Sequence, residues 1–159
     1  VVPGAGSEAA SLLIVGEAPG AKEDARGVPF VGASGRLLDD MLRAASITRD
    51  KVFIANVVRC RPPANRDPRT HEINACAGWL VEQIRLIDPA FVVTLGRFAL
   101  QHFIPGGRIT RFQGEVRTIE YANRRLKLYP LLHPAAVLRN PPLRPSYEEQ
   151  FRKLRHLLE

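Results

Sequence analysis

The stretch Leu12 to Gly35, LLIVGEAPGAKEDARGVPFVGASG, decides the fold. A continuous apolar run closed by Gly16 reads as a buried parallel strand. It ends in a Gly/Pro turn carrying Glu17, Glu23 and Asp24, and a second turn sets Phe30 between Pro29 and Val31-Gly32. This grammar is that of a loop at the carboxyl end of a strand, where open α/β sheets place their ligands. It gathers acids, close-approach backbone and a stacking surface.

Working outward, residues 36–45 place Leu37, Leu38, Met41, Leu42 and Ala45 on one helical face, with Ser34 as the expected N-cap. Residues 51–58, KVFIANVV, form a second strand. The loop 59–68, RCRPPANRDP, holds three prolines and is not expected to be helix. Residues 71–87 are helical, with Ile73, Cys76, Ala77, Leu80, Ile84 and Ile87 inward and Pro89 at the exit. Phe91–Leu95 is a third strand, and Gly96 opens a helix to Phe103. A hairpin turns at Ala122-Asn123 between 114–121 and 124–131. The Pro-rich loop LLHPAAVLRNPP follows, and a last helix starts near Ser146. Strands alternating with helices predict a three-layer αβα sandwich with a mainly parallel central sheet. The loops 16–35, 59–68 and 133–142 all follow strands and should meet at one sheet edge.

The 159 residues suit one domain with a real core. Hydrophobic residues make up 45% and charged residues 25%, the balance of a globular chain. No apolar run approaches the roughly 20 residues of a membrane helix, and no signal peptide is visible. The chain begins at Val1 rather than Met, so a segment ahead of it is expected to have been removed. A net charge of +7, mostly arginine, favours a polyanionic partner such as nucleic acid, although a solubilising surface gives the same balance. Cys60 and Cys76 are too few for a secreted disulfide framework, which points to a reducing compartment. They could be inert thiols, a disulfide or half of a metal site.

Several residues carry candidate chemistry. The turn Gly16–Gly20 lacks both the GxGxxG and the GK[ST] phosphate fingerprints, and its acids would repel phosphate. They suit positioning of water or stabilisation of a cationic sugar, against the bland alternative of a tight turn with solvated acids. His133, at another strand end, can hold an oxygen that gains negative charge. His71, His102 and His156 lack such a setting and are read as surface residues. Asn56, inside an apolar strand, either bonds nearby backbone or presents a donor and an acceptor matching a pyrimidine edge. Phe30 is either core or a stacking platform. The Arg/Pro loops around Arg61, Arg66 and Arg139 suit a nucleic-acid backbone, with Leu138 as an apolar wedge.

Taken together, GEAPGAKEDARGVPFVG, NVVRCRPPANRDP, VTLG and HPAAVLRNP resemble the family 4 uracil-DNA glycosylases, the iron–sulfur type of bacteria and archaea. The similarity covers nearly the whole chain in order. It implies a single glycosylase domain over residues 1–159 that hydrolyses the N-glycosidic bond of uracil in DNA during base excision repair. It further implies that Glu17, Glu23 and His133 serve catalysis and that Ala18, Gly20, Phe30, Asn56 and His133 bind uracil. Ser34, Arg61, Arg66, Leu138 and Arg139 are implied to bind single- or double-stranded DNA.

Ala18 stands where the better-known family 1 enzymes place an Asp, so water positioning passes to Glu17, Glu23 or a backbone carbonyl. Glu23 could instead shape the pocket around C5 and exclude thymine. The resemblance also implies a [4Fe–4S] cluster held by four cysteines. Cys60 and Cys76 match the second pair; either the CxxC segment of the first pair lies upstream of Val1 and has been lost, the favoured reading, or this member lacks the cluster. Crosslinking relatives carry Gln at position 18 and a basic insertion after the Asn56 strand. This chain has neither, so covalent capture of DNA is not expected. A cytoplasmic, nucleoid-associated monomer is expected. The rival reading is a non-catalytic nucleic-acid-binding module of the same fold, and a weaker one is a nucleotide-binding enzyme of the doubly wound class.

Overall fold

The computed structural model describes residues 1–159 throughout. Six strands form one sheet: β1 (Ala5–Gly6), β2 (Leu12–Gly16), β3 (Val52–Asn56), β4 (Phe91–Leu95), β5 (Arg117–Tyr121) and β6 (Arg124–Leu131). Their order is β1-β3-β2-β4-β6-β5. The four central strands run parallel, and β1 and β5 add antiparallel edges. The helices are α1 (Ala21–Arg26), α2 (Ala33–Ala44), α3 (Thr70–Ile87), α4 (Arg97–Phe103), α5 (Ile109–Phe112), α6 (Pro134–Arg139) and α7 (Arg144–Leu157).

Strand alternation divides the core in two. Leu12 and Ile14 of β2 face a cluster with Leu38 and Met41 of α2, Val137 of α6 and Phe151 of α7. Leu13 and Val15 face the opposite cluster, with Leu80 and Ile84 of α3 and Leu100 and Phe103 of α4. A strand covered on both faces must be apolar throughout, and every residue of β2 and β4 is buried. The expected three-layer sandwich is therefore present, with the carboxyl ends of β2, β3, β4 and β6 side by side.

Several local expectations are corrected. Helix α2 begins at Ala33, one residue before Ser34, and Gly32 is its N-cap without a side-chain bond. The acid-rich loop is not all loop: its carboxylate ladder folds into α1, capped at its end by left-handed Gly27. The 59–68 loop contains one 3₁₀ turn at Pro63–Asn65, which prolines at a first turn permit. Along α3 only Leu80 and Ile84 are fully buried, and Ile73, Cys76, Ala77 and Ile87 are half-buried. His102 is not a surface residue. Its Nε2 lies 2.7 Å from the Tyr121 hydroxyl beside Phe103, and burial lowers its pKa.

Candidate active site

The site is built on Gly16, the last residue of β2, paired in register with Asn56, the last of β3. A methyl group at Gly16 would stand 2.6 Å from both Asn56 Oδ1 and the Phe30 ring, so only glycine lets the two side chains meet here. Phe30 itself adopts φ 54°, a left-handed conformation unusual for an aromatic residue. Strain of this type persists where the surroundings over-determine it. The carbonyl of Phe30 packs directly on Gly35, leaving no room for a side chain at that position. Glu23 supplies a second restraint. Its Oε1 accepts from Gly20 N–H at 3.0 Å and its Oε2 from Val31 N–H at 3.0 Å. One carboxylate thus ties both turns of the loop together.

His133 follows β6 and is the N-cap of α6. Its Nδ1 accepts from the Ala135 N–H at 3.0 Å. That bond requires an unprotonated Nδ1, which leaves the proton of the neutral ring on Nε2. Burial first, and the charge of Arg139 second, push the His133 pKa down to about 4. The ring is therefore a neutral Nε2–H donor at physiological pH. Its centroid lies 5.9 Å from that of Phe30, with the planes tilted by 30°.

These groups enclose a cavity of about 480 Å³. Glu17, Ala18, Gly20, Glu23, Phe30, Ser34, Asn56, His133 and Arg139 all line it. Asn56 is 2% exposed, and its Oδ1 has no hydrogen-bond partner. A buried amide oxygen without a partner costs about 1–3 kcal/mol, so it marks a place prepared for a donor from outside the chain. Glu17 likewise makes no side-chain hydrogen bond, and its pKa is raised by burial and by Asp67 while Arg97 lowers it.

Arg61, Arg66 and Leu138 lie outside this cavity. Arg61 donates through Nε to Asn65 Oδ1 at 2.8 Å. Arg66 grips Glu72 through both terminal nitrogens, at 2.7 and 3.1 Å. Leu138 is exposed on α6, and Arg139 beside it joins the cavity rim. Sequence reading missed Asn65, which lines the cavity from a left-handed turn with Ala64. It also missed Arg59, whose buried guanidinium donates to Pro3 O and Gln83 Oε1 while its Nε has no partner.

Cys60 is exposed and Cys76 half-buried, both as free thiols. The Arg59 N–H donates to Cys76 Sγ, 3.4 Å away. No third His, Cys, Asp or Glu completes a metal-binding group with them. Two cysteines alone do not fit a [4Fe–4S] cluster, which takes four thiolates. No helix is long and apolar enough to cross a membrane.

Fold and site define an α/β protein with a polar pocket at the carboxyl edge of a parallel sheet. The family model described as the Uracil DNA glycosylase superfamily matches residues 3–158. The type-4 uracil-DNA glycosylase of Archaeoglobus fulgidus is 45% identical over 98% of this chain and 81% of its own length. That of Sulfurisphaera tokodaii is 45% identical over 98% of this chain and 74% of its own length. The type-4 enzyme of Thermotoga maritima is 41% identical over 88% of this chain and 72% of its own. The chain belongs to the uracil-DNA glycosylase superfamily and, within it, to the type-4 uracil-DNA glycosylases, as its four motifs led one to expect.

Proposed function

We propose that this protein removes uracil from DNA by hydrolysing the N-glycosidic bond, the first step of base excision repair. The observation that carries the reading is the buried, unpartnered Oδ1 of Asn56 on the wall of the cavity. Uracil offers N3–H as donor and O4 as acceptor, so one Asn amide satisfies both. Cytosine presents the reverse pattern and would leave buried polar groups unpaired. Sites built on such hydrogen bonds reject the wrong partner by roughly 10⁴–10⁵. A pocket inside the protein reaches a base only when the nucleotide is extruded from the duplex, at a cost of a few kcal/mol.

The chemistry follows from where charge develops. As the glycosidic bond lengthens, the sugar becomes cationic and uracil anionic. The neutral His133 Nε2–H donates to uracil O2, and this bond strengthens as the oxygen gains charge. Phe30 provides the stacking surface for the base, worth about 1–3 kcal/mol. Ala18 has no group that could act on water. Both Glu23 oxygens are occupied by backbone N–H groups, whereas Glu17 has none. Glu17 therefore takes the role of orienting water and facing the cationic sugar, and Glu23 holds the loop in shape. Ser34 and Arg139 at the rim meet the DNA strand. Arg61, Arg66 and Leu138 belong to the wider DNA surface.

Cys60 and Cys76 enter this proposal as two ligands of an iron–sulfur cluster, which would brace the Arg/Pro loop and supply no chemistry at the base. Action as a monomer on single- or double-stranded DNA belongs to the same reading. The test is direct. Protein added to a uracil-containing oligonucleotide yields free uracil and an abasic site. Asn56→Ala loses far more activity than DNA affinity, and equal loss of both would remove the edge-reading role. A purely DNA-binding module of this fold has no use for the unpaired Asn56 oxygen.

A further inference from the structure

The cavity does not end at Glu17. A second recess of about 290 Å³ opens on its other side and shares Glu17, His133 and Arg139 with the first. Its far wall is made by Asp67, from the loop after β3, and Arg97, the first residue of α4. Arg97 is fixed from two directions. Its guanidinium carbon lies 4.5 Å above the centroid of the Phe98 ring, and its terminal nitrogen lies 3.4 Å from Asp67 Oδ2. Gly96 sets where this pair sits. With φ +90° it packs against His133, where a methyl group would lie 3.0 Å from the His133 Cβ. The ion pair is therefore tied to the same strand ends that carry the candidate catalytic groups.

We infer that Asp67 and Arg97 are positioning residues that bias the charge of the buried Glu17 carboxyl across the recess they share with it. This rests on the proposed role of Glu17 toward water. Every other charged or titratable neighbour is committed elsewhere or distant in effect. Glu23 is held by two backbone N–H groups, Arg66 by Glu72, and His133 by the Ala135 N–H, in its neutral form. Arg139 lines both recesses but is not among the charges that shift Glu17. Burial of Glu17 raises its pKa most, and on a carboxylate that has no hydrogen bond of its own Asp67 adds to that rise while Arg97 opposes it. Asp67 holds Glu17 toward its protonated form, as a better proton acceptor. Arg97 keeps it ionised, so that it can face a cationic sugar. Because the pair is largely exposed, at 68% and 59% for the two side chains, solvent and salt reach it.

The experiment titrates Glu17 directly by carbon NMR of protein labelled at glutamate carboxyls, with Glu17→Gln identifying the resonance. It is paired with single-turnover uracil release across the same pH range. Arg97→Met should move the Glu17 midpoint to higher pH, Asp67→Asn to lower pH, and Arg97→Lys should restore it, since charge rather than shape is the agent. The acid limb of uracil release should move in the same directions, and added salt should draw the midpoints together. Glu17 midpoints that stay in place in both charge-removing variants overturn the inference. A wild-type rate in Glu17→Gln overturns instead the water role on which it rests, and the NMR titration separates the two failures.

Discussion

His133 couples stability to pH in a way that can be calculated. Its ordinary pKa of 6.5 falls to about 4 in the folded protein, through burial and then Arg139. The unfolded chain therefore binds the proton more readily between those values, and stability falls as pH drops below 6.5. At about 1.4 kcal/mol per pH unit, the displacement amounts to about 3 kcal/mol once pH reaches 4, and to about 2 kcal/mol at pH 5. Other titrating groups contribute to the wild-type curve, so the comparison needs a non-titrating variant. His133→Asn serves, because an Asn oxygen can still accept the Ala135 N–H as an N-cap. Urea unfolding of both proteins at pH 7.5 and pH 5 gives the two differences. The wild type should lose about 2 kcal/mol relative to His133→Asn over that interval. A difference that stays constant with pH would refute a buried neutral imidazole, and with it the assignment of Nε2–H as a neutral donor.

Further outcomes follow from other contacts. Asn56→Ala should keep or raise the unfolding free energy, by up to about 1–3 kcal/mol, since it removes a buried oxygen that has no partner, while uracil release falls by orders of magnitude; a large loss of stability would assign Asn56 to the core instead. Glu23→Gln keeps one acceptor but breaks one of two charge-assisted bonds, costing about 1.5–3 kcal/mol, and should loosen the Gly20 and Val31 amides in hydrogen exchange. Gly16→Ala drives a methyl group into Asn56 and Phe30 and should abolish uracil release with the fold retained by circular dichroism.

Much of the architecture was legible because it rests on periodicity. The runs SLLIVG, KVFIANVV and FVVTL are apolar on both faces, and only the centre of a covered parallel sheet accommodates that. The same patterns placed three loops at one edge, which is why Glu17, Phe30, Asn56 and His133 could be grouped before any geometry was known. What escaped depends on contacts between distant segments. Ser34 is a better N-cap by residue type than Gly32, yet the strained Phe30 turn packs on Gly35 and α2 starts two residues earlier than a Ser34 cap would set it. His102 gives no sign in sequence of its bond to Tyr121, which comes from the end of β5, 19 residues on. Glu17 and Glu23 look equivalent in the string GEAPGAKE. Only the two backbone N–H groups converging on Glu23 distinguish a clamp from a free carboxylate. Asp67 and Arg97 are 30 residues apart, and nothing local announces their meeting over Glu17.

The central claim is that the Asn56 cavity accepts an extruded uracil and that the chain cleaves its glycosidic bond. The most direct measurement is uracil release from a single oligonucleotide carrying one uracil, with matched oligonucleotides carrying cytosine or thymine at that position. The account predicts free uracil and an abasic site from the first and no base from the other two. Intact DNA in all three, from folded protein that still binds DNA, would contradict it.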